Sequence, residues 1–411
     1  MNKTFKTATL VTAGVVFTAS AALAAEGGSK FYNLSAGLRG FYDDNIFTGN
    51  NKIDLDGDGK VDRRKFDSFG FEVTPGVRFN VPLDQTTLSA GYTYGLRYFA
   101  DRPGRSYDQF HLADVQVNHR FNERYKVAVA DRFADAQEPA QMLGSPGAPT
   151  SQLLRAEGNN LSNIASVDLS ASLTELWSAV LGFRNSYFNY NADQFQGLNR
   201  LENLPSLGLR YQWTPTTVVS GNYQYGDINY SDVDSRDGRA HYGFVGLDQS
   251  ITSRLVASLR VGGQIMDWSN ASGAGRGSAS NPYVDASLIY SYSEASTAQI
   301  GVRHGRNATD VIAALDQQST MVYGSLNHQI TGALRGSLSG QFQNAEFVGI
   351  SSGDAIDGLS ETLVSVGVTL NYRINAYLSA ETSYFFDRLS SDILLRDFTR
   401  NRVFLGVRAV Y

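Results

Sequence analysis

The sequence contains no cysteine in its 411 residues, so its stability must come from backbone pairing and side-chain packing without disulfides. After the N-terminal segment it also has no run of about 18 apolar residues, which excludes a membrane-spanning helix. Charged residues make up only 18% of the chain, and a net charge of −5 argues against a nucleic-acid partner. What the chain has instead is 40 glycines and 12% aromatic residues, a composition typical of a β-barrel with two-faced strands.

The N-terminus has the three parts of a secretory signal peptide. Lys3 and Lys6 precede an apolar stretch at residues 8–22, and the small residues Ala22 and Ala24 follow in the pattern of a cleavage site. We therefore expect residues 1–24 to be a signal peptide and residues 25–411 to form a single exported domain.

Apolar and polar residues alternate through the remaining chain, as expected of strands that have two different environments. In the clearest strand, Leu88, Ala90, Tyr92 and Tyr94 share one face, and Ser89, Gly91 and Thr93 share the other. Short turns are expected near residues 82–85, 122–124, 174–176, 214–216, 252–254, 293–296, 331–333 and 375–376. Longer polar loops are expected at 43–65, 101–107, 135–158, 191–199, 231–238, 270–281, 305–318, 345–359 and 388–396.

Eight short turns and nine long loops predict an all-β, transmembrane, antiparallel up-and-down barrel of about 18 strands. A propeller and a β-helix are the soluble alternatives, but no blade-length motif recurs in the sequence. An apolar face on every hairpin requires a continuous apolar solvent, which lipid supplies, and a closed barrel leaves no strand edge unpaired in it.

The asymmetry of turns and loops predicts a bacterial outer-membrane protein with periplasmic turns, extracellular loops and both termini in the periplasm. Aromatic residues lie beside the short turns, as in an interfacial belt: Phe79, Phe121, Tyr125, Trp177, Trp213, Tyr372, Tyr377 and Tyr411. The last strand, NRVFLGVRAVY, resembles the signal by which the barrel-assembly machinery recognises such proteins. Lipid and lipopolysaccharide are the expected surroundings.

Arginine recurs on the polar face of the strands, which we expect to line the pore: Arg39, Arg78, Arg97, Arg120, Arg184, Arg210, Arg260, Arg303, Arg335 and Arg373. Carboxylates are fewer on that face. This excess predicts a mild preference for anionic solutes. The alternative is that the arginines pair with inner carboxylates and only hold the wall together.

The first long loop contains the sequence DLDGDGKVD. Asp54, Asp56, Asp58, the Lys60 carbonyl and Asp62 occupy the ligand positions of a calcium loop, with Gly59 at the position of the sharp turn. The twelfth position is Lys65, where a bidentate acid is normally required. The loop therefore predicts weak Ca²⁺ binding at the surface, and a solvated acidic turn is the alternative.

No catalytic arrangement is recognisable, so we expect a protein that is not an enzyme. The five histidines are scattered over different strands: His111, His119, His241, His304 and His328. No Ser/His or Asp/His set can be read near an outer rim, where barrel hydrolases require one.

The segment YDDNIF at residues 42–47 resembles the start of the putative beta-barrel porin 2 family of bacterial outer-membrane proteins. The repeated hairpins and the C-terminal strand extend the likeness over the mature chain, although the calcium-like insert departs from the family start. The resemblance implies an outer-membrane porin, and for some members a channel for exopolysaccharide export.

The sequence thus predicts a channel for passive passage of small hydrophilic solutes. Two alternatives remain open, namely a channel for exopolysaccharide export and a non-conducting surface scaffold or adhesin.

Overall fold

The structure is a computed structural model that describes residues 30–50, 65–137, 160–231, 236–268, 277–349 and 354–411. The predicted signal peptide (1–24) and the predicted calcium ligands, Asp54 to Asp62, lie outside these ranges, and both stay predictions. Within the described ranges no group of three or more His, Asp or Glu side chains is arranged to hold a metal ion.

Eighteen strands in the described residues form one antiparallel sheet. In chain order they are β1 (Tyr32–Asp43), β2 (Ser68–Pro82), β3 (Thr86–Phe99), β4 (Tyr107–Arg120), β5 (Tyr125–Ala136), β6 (Asn160–Ser172), β7 (Trp177–Tyr190), β8 (Arg200–Thr214), β9 (Thr217–Tyr230), β10 (Gly238–Ser250), β11 (Leu255–Trp268), β12 (Ser278–Ser293), β13 (Ser296–Asn307), β14 (Ala314–Gln329), β15 (Leu334–Gly349), β16 (Ser360–Arg373), β17 (Leu378–Ser391) and β18 (Phe398–Val410).

The barrel is closed, because every strand pairs with its sequence neighbours and β1 pairs with β18. This closing seam runs from Ser35 opposite Val410 to Asp43 opposite Arg402. The Leu34 and Tyr411 backbones extend it by exchanging hydrogen bonds of 2.9 and 2.8 Å. The predicted all-β barrel of about 18 strands is therefore confirmed.

The alternation of residue types becomes an alternation of barrel faces. In β18, Val403, Leu405 and Val407 are exposed on the outer surface, whereas Arg402 and Phe404 are buried on the inner side. Side chains on a strand alternate between the two faces, so one apolar residue in two is enough to cover the barrel in a lipid-compatible band.

Five of the short turns begin with Asn or Thr, whose side-chain oxygen accepts backbone N–H bonds from the residues two and three positions later. Asn122 accepts from Arg124 and Tyr125 at 2.8 and 3.0 Å. Thr174, Thr252, Thr331 and Asn375 do the same in their own turns. These side chains mimic a backbone turn, which explains why the local sequence was enough to locate them.

The eight short turns lie at one end of the barrel together with the start of β1 and the end of β18, and the long connections lie at the other end. The eight aromatic residues predicted to form a belt beside the short turns are all exposed. No helix of the described residues is both long enough and apolar enough to span a membrane.

Buried apolar side chains concentrate at the long-loop end. Phe41, Phe99 and Phe404 on the inner wall surround Ile46 from the first loop. Leu198, in the short 3-10 helix Asp193–Leu198, packs on β7, and Val311 lies in a cluster with Ile356 from a different loop. Several long loops therefore fold against the barrel and each other, which narrows this end.

Candidate functional site: the channel wall and its mouth

The ten arginines predicted to line the pore all lie on the inner face, by the strand alternation and the observed register. They fall into three groups by their contacts. Five form ion pairs with carboxylates of the wall: Arg39, Arg78, Arg97, Arg260 and Arg303. Two bind polar groups near the short turns: Arg335 and Arg373. Three form no ion pair with any residue that the structure describes: Arg120, Arg184 and Arg210.

The most buried of these pairs forms a charged row across β1, β2 and β3. Arg39, Glu72 and Arg97 are direct register partners. Glu72 is 1% exposed and accepts from Arg39 at 2.7 Å and from Arg97 at 2.8 Å. Two arginines therefore share one carboxylate. Glu381 on β17 lies 3.6 Å from Arg39 and supplies a second negative charge, so the net charge of the row is zero.

A glycine makes room for a second ion pair. Arg78 on β2 and Asp114 on β4 form a bidentate pair at 2.8 and 3.1 Å across the intervening β3. The residue between them in register is Gly91. A Cβ atom there would lie 2.7 Å from both the Arg78 Nη2 and the Asp114 Oδ1 atoms, so any side chain at this position would displace the pair.

Two of the arginines without an ion pair in the described ranges are accessible to a solute inside the barrel. Arg184 on β7 is exposed on the inner wall, and Arg210 on β8 is partly exposed. The carboxylates that influence Arg210 electrostatically are Asp168 and Asp248, neither within ion-pair distance of it. Asp248 instead accepts from the Arg260 Nη2 atom, which lies 2.8 Å from each of its two carboxylate oxygens.

The YDDNIF segment fastens the first loop to the closing seam. Asp43 is bonded by the Arg400 Nε atom at 3.0 Å, and both side chains are about fully buried. Asp44 accepts from the Asn401 backbone at 2.7 Å, and the Asn45 amide donates to the Thr399 carbonyl at 2.9 Å. The motif therefore joins β1 to the start of β18.

At the mouth, contacts between loops cross from one side of the barrel to the other. Arg236, before β10, donates to the Gly197 carbonyl at 3.0 Å and to the Thr309 carbonyl at 3.5 Å. Beside Thr309, Asp310 accepts from Arg396, before β18, at 3.0 and 3.2 Å. We call this chain of contacts the mouth bridge. It links the β7–β10 side to the β17–β18 side, half of the circumference away.

Burial and charge act on the ionisation of these loop groups. Burial lowers the pKa of Arg236, which has backbone carbonyls as partners. Burial acts in the same direction on Arg396, but the charges of Asp310 and Glu361 outweigh it and raise the pKa of Arg396. Burial of Asp44 is likewise outweighed by its bonds with Asn401 and Lys65, so the pKa of that carboxyl is lowered.

The family match falls on the second half of the barrel. Residues 236–411, from the mouth bridge through β18, match the sequence model of the putative beta-barrel porin 2 family. The predicted resemblance to this family is confirmed by this match, which does not extend to the YDDNIF segment. The chain is a closed β-barrel whose second half resembles a family of porins.

Solved porins have a similar strand arrangement at low sequence identity. OccK9 (OpdG) of Pseudomonas aeruginosa is 12% identical, with a TM-score of 0.47 over 92% of this chain and 98% of that one. OpdK of Pseudomonas aeruginosa, solved with vanillate, is 11% identical, with a TM-score of 0.45 over 92% and 99%. OccAB4 of Acinetobacter baumannii is 12% identical, with a TM-score of 0.44 over 93% and 99%. A search of the curated proteins found no match.

Sequence reasoning identified the inner arginines but missed the mouth bridge and the seam pair. Arg236, Asp310 and Arg396 lie in stretches that look like ordinary polar loops, and no periodicity marks them. The only available signal for the seam was the Asp-Asp-Asn sequence of the family motif, whose partner Arg400 is 357 positions from Asp43.

Proposed function

We propose that this protein is a passive channel for small hydrophilic solutes across a bacterial outer membrane, with its short turns and both termini on the periplasmic side. The observation that carries the proposal is a closed barrel of eighteen strands whose inner wall is polar and charged. Barrels of this strand number are wide enough for an aqueous lumen, and diffusion through one requires no catalytic group.

We further propose a mild preference for anions that depends on Arg184 and Arg210. The five ion-paired arginines are each neutralised locally by a carboxylate, so they contribute little net field to the lumen. Arg184 and Arg210 lie on neighbouring strands and have no such partner within the described residues. Arg120, Arg335 and Arg373 also have no carboxylate partner in the described part of the chain, but they lie at the short-turn ends of their strands. The anion preference predicted from ten arginines is therefore assigned to Arg184 and Arg210, which lie further along the wall.

Reversal potentials across a planar bilayer with a salt gradient test this assignment. The double variant Arg184→Gln/Arg210→Gln removes two unpaired charges and is expected to shift selectivity toward cations. The matched control Arg303→Gln/Asp285→Asn removes a neutral pair joined at 2.7 Å and is expected to leave selectivity unchanged. Equal shifts in both variants, or no shift in the first, would refute the assignment.

The mouth bridge is proposed to limit conductance. Arg396, before β18, pairs with Asp310 in the β13–β14 loop and with Glu361 at the start of β16, so its replacement removes the cation between two buried acids. We expect Arg396→Gln to increase the single-channel conductance and, because Asp310 and Glu361 are left without a cation, to shift selectivity toward cations. An unchanged conductance would show that the narrowest point of the pore lies elsewhere.

The bridge also favours one alternative, a non-conducting scaffold whose mouth stays closed. Purified protein that inserts into planar bilayers without producing conductance steps, in wild type and in Arg396→Gln alike, would support the scaffold and contradict the channel. Conductance steps that an oligosaccharide blocks at low concentration would instead support polysaccharide export.

A further inference from the structure

The outer wall formed by β5, β6, β7 and β8 contains an apolar groove near the short-turn end. Ala171 and Ala179 lie directly opposite each other in register and form its floor. The larger side chains of Tyr125, Leu181 and Leu207 surround them, and the groove has a volume of about 420 Å³. Small residues between large ones make this part of the outer surface concave.

The same wall has an unusual polar group above the groove. Asp131 lies on the outer face of β5, since its register partners are Val115 and Ala165. It is six residues from the short-turn end of its strand. Its contact within the described residues is one hydrogen bond from the Asn163 amide, at 3.0 Å to Oδ1, which leaves the second carboxylate oxygen without a donor.

Other strands show how far this position lies inside the membrane. On three of them, the outward-facing charged or amide side chain nearest to the aromatic belt lies nine or ten residues from the short-turn end. These side chains are Asn344 on β15, Arg388 on β17 and Asn401 on β18. Nine residues of a tilted strand rise about 23 Å, close to the height of an outer-membrane apolar band. Asp131 therefore lies inside that band, with a carboxylate facing outward.

Neighbouring amides continue the polar surface along the wall. Asn185 on β7 and Asn203 on β8 face outward and bond each other at 2.8 Å, in the same register row as Asp131. By contrast, the outer face of β2 is wholly apolar, from Phe69 to Val81. Polar groups in the membrane normally face protein or water rather than lipid, so Asp131 and Asn185, which lie inside the band, favour a partner on this wall.

We propose that the β5–β8 outer wall is an interface at which a second copy of this chain docks. An acyl chain can fill the groove, but it has no donor for Asp131. A second copy supplies both requirements, because its own wall presents the Asn185 amide, two residues further from the short-turn end than Asp131, and the exposed aromatic rings of Trp177 and Trp213 beside the groove. Closed symmetric association of identical chains is also the commonest form of protein assembly.

Cross-linking in native outer membranes tests the interface before any detergent is added. The chain has no cysteine, so a single introduced thiol can react only between molecules. Leu169→Cys, Leu181→Cys and Leu207→Cys are each treated with a short bifunctional maleimide, and Leu338→Cys, exposed on the outer face of β15, is the control. We expect a product of twice the chain mass from at least one wall variant and none from the control.

No product from any wall variant, with each thiol still labelled by a monofunctional maleimide, would overturn the proposal. So would equal products at the control position, or a product whose mass identifies a different protein.

A second pair of variants separates association from folding. Ala179→Trp fills the groove, whereas Ala286→Trp adds the same bulk to the outer face of β12. Native mass measurements in mild detergent are expected to show oligomers for wild type and Ala286→Trp, and a monomer for Ala179→Trp. A monomeric wild type that co-purifies with phospholipid would assign the groove to lipid and overturn the proposal.

Discussion

Removal of the ion pair at the closing seam should destabilise the whole barrel. Asp43 and Arg400 join the first strand to the last, and their side chains are 3% and 2% exposed. Arg400 donates from Nε to both carboxylate oxygens at 3.0 Å, and Nη2 adds a further bond. The pair thus closes the end of the β1–β18 ladder that faces the loops.

The magnitude follows from burial. Two unit charges 4 Å apart interact by about 4 kcal/mol at an effective dielectric of about 20, and breaking a buried pair by removing one partner typically costs about 3–5 kcal/mol. Asp43→Asn leaves a buried guanidinium without its carboxylate, so we expect the free energy of unfolding to fall by about that amount. The double variant Asp43→Asn/Arg400→Gln should lose less than the sum of the two single variants, because no charge is then left unpaired.

Reversible urea unfolding in lipid vesicles, followed by tryptophan fluorescence, measures these differences. Asp114→Asn is the matched control, since it breaks a bidentate Arg–Asp pair whose side chains are 38% and 40% exposed. Exposed pairs contribute at most about 1 kcal/mol, so this variant should unfold near the wild-type urea concentration. Equal losses in Asp43→Asn and Asp114→Asn, or no loss in either, would refute the claim that the seam depends on the buried pair.

Two further predictions concern single residues. Gly91→Val should displace the Arg78–Asp114 pair, because its Cβ would lie 2.7 Å from both partners, but both charges stay in the lumen and the reversal potential should remain that of the wild type. Asp114→Asn leaves Arg78 without its carboxylate and should shift the reversal potential toward anions; equal reversal potentials in the two variants would contradict this account. Asp44 has a lowered pKa in the folded chain, so its contribution to stability is present above its unfolded value and lost as the pH falls below about 4. Asp44→Asn should therefore flatten the acid side of the stability profile in urea titrations, and an unchanged profile would show that other carboxylates determine it.

Much of the architecture could be predicted from the sequence because its causes are local. Alternation at a period of two assigns Leu405 to the outside and Arg402 to the inside without knowledge of any partner. Turn chemistry is equally local, since the side chain of Asn122 or Thr174 bonds the backbone only two or three residues away. The strand number and the two unlike ends follow from these signals.

The sequence alone determined the barrel, its two faces and its belt of aromatic residues, because each depends on neighbours within a few positions. Only the tertiary structure decided which arginines are neutralised, since Glu72 meets Arg39 and Arg97 through the register of three strands. It also decided the seam pair, the mouth bridge and the groove on the β5–β8 wall. Each of these depends on contacts between residues that are far apart in the chain and are brought together by the closed barrel. The local pattern of the sequence does not show which distant residues will meet.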